Sequence, residues 1–197
     1  MYSKFKKVLI NISLAGMLLI SAANTAQALA PKTVFIKGQD YGILALRPVS
    51  IATISDFVKT HSYLVNVYRS GLTYPNGCKS FSYLATEIME KEGIDVRIRH
   101  SALRDHFYLS VLAVLADGSL DEVIIDFTAD QCGIGKIAAL VETRSKLKEK
   151  YPEAYRKYWS EKALVYSKNE VDMTHFYMEY IQVLLDVYSW LDILSAA

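Results

Sequence analysis

Three residues, in the order Cys78, His106 and Asp126, have the types that thiol catalysis needs. They supply a nucleophile, a base that can take its proton, and an acid that fixes the base in one tautomer. Cys78 directly follows Asn76-Gly77 and opens a helical apolar pattern. At a helix N-terminus the backbone N–H groups are free and the dipole favours negative charge. A thiolate is therefore stabilised there, and the Cys78 N–H can donate to an oxyanion. Tyr74 and Asn76 are the upstream side-chain candidates for a further oxyanion donor. His106 begins a β-rich run, and Asp126 sits inside Ile124-Ile125-Asp126-Phe127-Thr128. An acid buried in such a run is costly unless paired, and an imidazolium is a natural partner.

The elements that must position these residues follow from periodicity. Cys78, Phe81, Leu84, Ala85, Ile88 and Met89 have helical spacing, and Gly93 stands where a C-cap glycine belongs. Ile94, Val96 and Ile98 alternate with Asp95, Arg97 and Arg99 as in a strand. His106 to Ala116 and Leu120 to Thr128 read as two further strands joined through Asp117-Gly118. His106 and Asp126 are 20 positions apart, an even number, so an odd-length turn puts both on one face of a hairpin. A turn centred on Gly118 staggers them by four residues. Contact therefore requires a longer loop, a bulge, or an earlier turn near Ala116. His100 is an alternative base.

Upstream, Thr33 to Lys37 and Gly42 to Leu46 read as short strands, and Ile54 to Tyr68 as a helix with Ser55 as N-cap. Downstream, Gly135 to Lys150, Pro152 to Ala163 and Asp172 to Leu194 read as helices. His61 and His175 fall on helical stretches and read as surface or packing residues. The first residues are a targeting segment. Lys4, Lys6 and Lys7 precede an apolar run from Val8 to Ile20, and Ala26-Gln27-Ala28 supplies a cleavage motif. Cleavage after Ala28 leaves 169 residues with 19 basic and 21 acidic side chains, a net charge of −2. The expectation is an exported protein, periplasmic or secreted, with no stable membrane anchor after cleavage.

The full chain has 197 residues, 22% charged and 52% hydrophobic, with a net charge of +1. These are globular values, and they give no electrostatic reason to expect nucleic acid. No cofactor is expected. No metal is expected either, since the four histidines are scattered and the chain has only two cysteines. Asp117, Asp121, Asp126 and Asp130 lack the spacing of an EF-hand loop. Gly133-Ile134-Gly135-Lys136 lacks the spacing of a phosphate loop.

The segments around the three candidate residues together resemble a known family. Asn76-Gly77-Cys78, then Phe81, Leu84 and Ala85, then Glu92-Gly93-Ile94 and Val96, resemble the papain-like transglutaminase core. His106-Phe107-Tyr108-Leu109-Ser110-Val111 is similar to its histidine strand, and Ile125-Asp126-Phe127-Thr128 to its aspartate strand. The resemblance departs after the histidine, where the family's usual Ala-Trp-Val is Phe107-Tyr108-Leu109. It implies an α+β fold with the cysteine-bearing helix packed on an antiparallel sheet. It also implies Cys78 as nucleophile, His106 as base and Asp126 as orienting acid. The expected organisation is a signal peptide over 1–28, the core over 29–135 and a helical C-terminal extension over 136–197. The expected activity is a cysteine-dependent amide hydrolase or acyltransferase on a protein or peptide, such as a glutamine deamidase or transglutaminase-like enzyme. The alternatives are a thiol peptidase, or a non-enzymatic exported binding protein with a Cys78–Cys132 disulfide. That bridge would close a loop of roughly 55 residues and contribute ~4 kcal/mol.

Overall fold

The computed structural model describes residues 35–36, 39–40, 46–70, 74, 77–137, 139–160, 162–172, 174 and 177–195. The targeting segment expected over 1–28, the strand expected from Gly42, Asn76 and His175 lie outside them. The described residues all belong to one compact unit, Thr33–Ala197. The fold is α+β.

β1 (Phe35–Ile36) pairs antiparallel with β2 (Gln39–Asp40). β3 (Val49–Ser50) leads into α1 (Ile51–Thr60), followed by α2 (Tyr63–Arg69) and α3 (Gly77–Lys91). β4 (Arg97–Ser101), β5 (His106–Val114) and β6 (Leu120–Asp126) form an antiparallel meander. β7 (Leu140–Thr143) then runs into α4 (Arg144–Lys150). A helical segment, Pro152–Ala154 followed by a π-helical turn Tyr155–Trp159, precedes β8 (Leu164–Tyr166) and α5 (Tyr177–Ser195). The sheet order is β7-β6-β5-β4-β8, and β3 pairs parallel with the end of β5 that β4 does not reach.

Both faces of the sheet are covered, which is why β5 is buried almost throughout its length rather than alternating. Phe107, Leu109, Val111, Val123 and Ile125 face a core shared with α1, α2, α3 and α5. Tyr108 and Ile124 face the other way, against Leu147, Tyr155 and Trp159. No helix among the described residues is long and apolar enough to cross a membrane.

Several elements differ from expectation. The upstream helix is two, broken at His61-Ser62, where the buried His61 ring bonds Glu92 at 2.7 Å and Tyr63 at 3.0 Å. Its N-cap is Ser50, whose hydroxyl accepts from the Thr53 N–H, while Ser55 bonds back to the Ile51 carbonyl. β4 begins at Arg97 because the chain pairs with β5 only from there, although Ile94 and Val96 are buried. The helix expected over Gly135–Lys150 is confined to its charged half. Leu140–Thr143 pairs with β6, and Thr143 caps α4 through the Lys146 N–H. Likewise the helix expected over Pro152–Ala163 stops at Trp159, and Leu164–Tyr166 pairs with β4. The stretch 136–197 is thus not helical throughout: it supplies both outer strands of the sheet.

Candidate active site

Cys78, His106 and Asp126 come together at one end of the sheet. Cys78 is the second residue of α3, on the first covered face. His106 is the first residue of β5 and Asp126 the last of β6, both turned with Tyr108 and Ile124 to the opposite face. The thiol and the imidazole therefore reach the same end of the sheet from its two faces. The hairpin pairs Val114 with Leu120, which centres the turn on Asp117, one residue before Gly118. That register places Asp126 opposite Tyr108 and staggers it from His106 by two residues. A diagonal of that length is within reach of long side chains. The His106 Nε2 lies 2.7 Å from Asp126 Oδ2, with both side chains fully buried.

Asp126 is saturated with donors. The Trp159 indole N–H donates to Oδ2 at 2.9 Å, and the Thr128 N–H and hydroxyl donate to Oδ1 at 2.9 and 3.0 Å. Burial pushes the carboxyl up, but the His106 charge and these bonds hold it below the ordinary aspartate range. Burial in turn pulls His106 down. The Asp126 charge and hydrogen bond, with contacts to both thiols, hold the ring well above the usual imidazole range. His106 therefore carries its proton readily, as a base that has accepted one must.

With Nε2 turned to Asp126, Nδ1 is the remaining ring nitrogen, and the nearby Cys78 thiol helps to hold the ring in its raised range. The Cys78 Sγ–H also donates to the Asp105 carbonyl at 3.7 Å. Asp105 adopts φ 47°, a left-handed conformation uncommon outside glycine, at the residue that enters β5. Its carboxylate bonds the His100 Nε2 at 2.8 Å, and His100 stacks on Phe107 at 4.2 Å. A groove of about 320 Å³ opens on Cys78, walled by Lys79, His100, Asp105, Phe107 and Tyr166. His100 thus lines the groove, while His106 holds the acid.

Tyr74 and Cys132, the other described candidates, each have a partner of their own. The Tyr74 hydroxyl donates to Asp186 on α5 at 2.7 Å, which commits its proton to the helix contact. The Cys78 backbone N–H remains in the first turn of α3, where no intrahelical acceptor exists. Cys78 and Cys132 are both free thiols. Cys132 follows β6 on a short helical turn, and its Sγ lies 3.6 Å from the His106 Nε2. Burial pushes that thiol up to about 11, against the hydrogen bond from His106. The spacing of the sequence shows no metal-ligand pattern, yet the ligand atoms of His106, Asp126 and Cys132 lie within 4.8 Å of one another.

Trp159 was invisible to spacing arguments, 33 residues from the acid it binds. The only signal was a Trp in a polar, Tyr-rich stretch. Thr128 stands two residues after an isolated acid, the spacing at which an aspartate accepts from the chain ahead of it. Comparison with protein-family models, curated proteins and solved structures finds no match to this chain.

Proposed function

We propose that this chain is an exported thiol enzyme of papain-like, transglutaminase-like architecture, released by cleavage after Ala28, that acts on an amide of a protein or peptide. One observation carries the reading: a buried, fully bonded Asp126 holds His106, and the Cys78 thiol lies near the same ring and opens on a groove. Cys78 transfers its proton to His106, and the thiolate attacks the amide carbonyl. The oxyanion is met by the Cys78 backbone N–H at the α3 terminus. His106 returns the proton to the leaving nitrogen, which departs as ammonia or an amine, and a thioester remains. Water then attacks the thioester with His106 as base and releases the acid, or an amine attacks and a new amide forms. Hydrolysis is preferred over transfer to an amine, with a glutamine side chain as the amide attacked.

Iodoacetamide labelling of Cys78 across pH, beside a His106→Ala variant, tests this directly. Fast labelling at pH 6 that the variant slows supports the pair. Ordinary labelling that tracks a simple thiol in both proteins ends the reading.

A further inference from the structure

We propose that Cys132, His106 and Asp126 form a binding site for Zn²⁺ or a similarly thiophilic divalent ion, and that occupancy silences Cys78. The second half rests on the thiol-enzyme reading above; the first half does not.

Cys132 is a buried nucleophile that the mechanism does not use, and it lies 3.6 Å from the Nε2 of the base. Thiolate, imidazole and carboxylate together suit zinc rather than magnesium or calcium. Zinc bonds of about 2.0–2.3 Å in a tetrahedron set neighbouring ligand atoms about 3.5 Å apart. The Cys132–His106 separation already has that value. The His106–Asp126 pair, at 2.7 Å, must open by less than about 1 Å. The thiol and imidazolium protons leave to solvent as the ion enters. The two anionic ligands then balance its charge, so no net charge is buried. Outer partners are in place as well: Thr128 donates twice to Asp126 Oδ1, and the Trp159 indole N–H donates to Oδ2. Three protein ligands leave the fourth position to water.

The consequence for the base follows from its tautomer. With Nε2 on the metal, Nδ1 keeps its proton and cannot accept another from Cys78. The nucleophile is silenced without being covered.

The chain has only two cysteines, which makes the test clean. In a reduced, full-length Cys78→Ala variant, any thiolate–metal bond must come from Cys132. Co²⁺ added to that variant is expected to give a thiolate-to-cobalt charge-transfer band and tetrahedral ligand-field bands, with one ion per chain. Zn²⁺ is expected to displace it with the same stoichiometry. Cys132→Ser, with its fold checked by near-ultraviolet circular dichroism, is expected to lose the band and at least tenfold in Zn²⁺ affinity. In the wild-type chain, saturating Zn²⁺ is expected to slow Cys78 alkylation by at least tenfold, and a chelator to restore it. Absence of the cobalt band in Cys78→Ala overturns the site. A bound zinc that leaves Cys78 alkylation unchanged overturns the silencing. Metal-free labelling of Cys78 reports separately on the enzyme reading.

Discussion

β6 carries two carboxylates on one face, Glu122 and Asp126, four residues apart, and their partners make them different things. Glu122 accepts from Arg99 at 2.6 Å and from the Arg144 Nε, so a permanent cation lies on each oxygen. Arg144 continues to the Tyr155 hydroxyl and the Trp159 carbonyl, at 3.0 and 3.1 Å. Asp126 accepts from the same Trp159, but through the indole N–H, and its ionic partner is an imidazole beside two thiols. Arginine does not titrate in proteins, so the Glu122 cluster can only hold. Histidine does, so the Asp126 cluster can pass a proton. A buried acid in an apolar strand is thus not in itself a sign of chemistry. The partner decides.

Paired substitutions sharpen this contrast. Asp126→Asn is expected to lower the rate of Cys78 alkylation at pH 6, and of any amide hydrolysis, by about 10²–10⁴-fold, the loss typical when the orienting acid of a triad is removed. Glu122→Gln is expected to leave alkylation nearly unchanged in the folded protein. It should cost about 3–5 kcal/mol of stability in denaturant unfolding, because two guanidinium groups lose their counter-charge. Equal effects of the two substitutions on alkylation would erase the distinction.

The pH dependence separates the clusters in another way. Glu122 is held below its ordinary range, against its burial, by Arg144 and Arg99, as Asp126 is by His106 and its donors. A lowered acid contributes stability above its unfolded pKa and loses it as pH falls through the folded value. Both clusters therefore weaken on acidification below about pH 4. His106 is raised, so its contribution is complete below about pH 6.5 and disappears as pH rises through its folded value. Chemical denaturation from pH 5 to 10 should show an alkaline decline that His106→Gln removes and Glu122→Gln leaves.

Smaller effects are expected at the supports. Trp159→Phe removes one donor from Asp126 and keeps most of the packing. A loss of about 1–3 kcal/mol, read as a melting-temperature decrease with a few-fold drop in alkylation rate, is the expected result. Tyr74→Phe is expected to cost no more than about 1 kcal/mol and to leave the alkylation rate unchanged, since its hydroxyl binds Asp186 on α5. A tenfold rate loss there would return Tyr74 to the oxyanion role.

The helix after Cys78, the Gly93 stop at φ 77° and the β5–β6 hairpin were legible because each rests on local rules of period and turn chemistry. Strand parity put His106 and Asp126 on one face. It missed their contact by two residues, because the turn centre moved by one. Leu140–Thr143 and Leu164–Tyr166 were not legible as strands. Each is three or four residues long and exists by pairing with an edge that sequence does not display. The buried cluster of Arg99, Glu122 and Arg144 escaped for the same reason, since charged residues in alternating or helical patterns read as solvated faces.

The sequence by itself determined the inventory and order of the reactive groups, and the local elements that carry them: a cysteine at a helix start, a histidine at a strand start, an acid at a strand end. Their meeting belonged to the tertiary structure. Cys78 and His106 come to one end of the sheet from its opposite faces. Cys132 arrives on a turn, and Trp159 comes from 33 residues beyond the acid it binds. Local periodicity fixes which way a side chain leaves its own element. Only packing of distant segments fixes what it meets there.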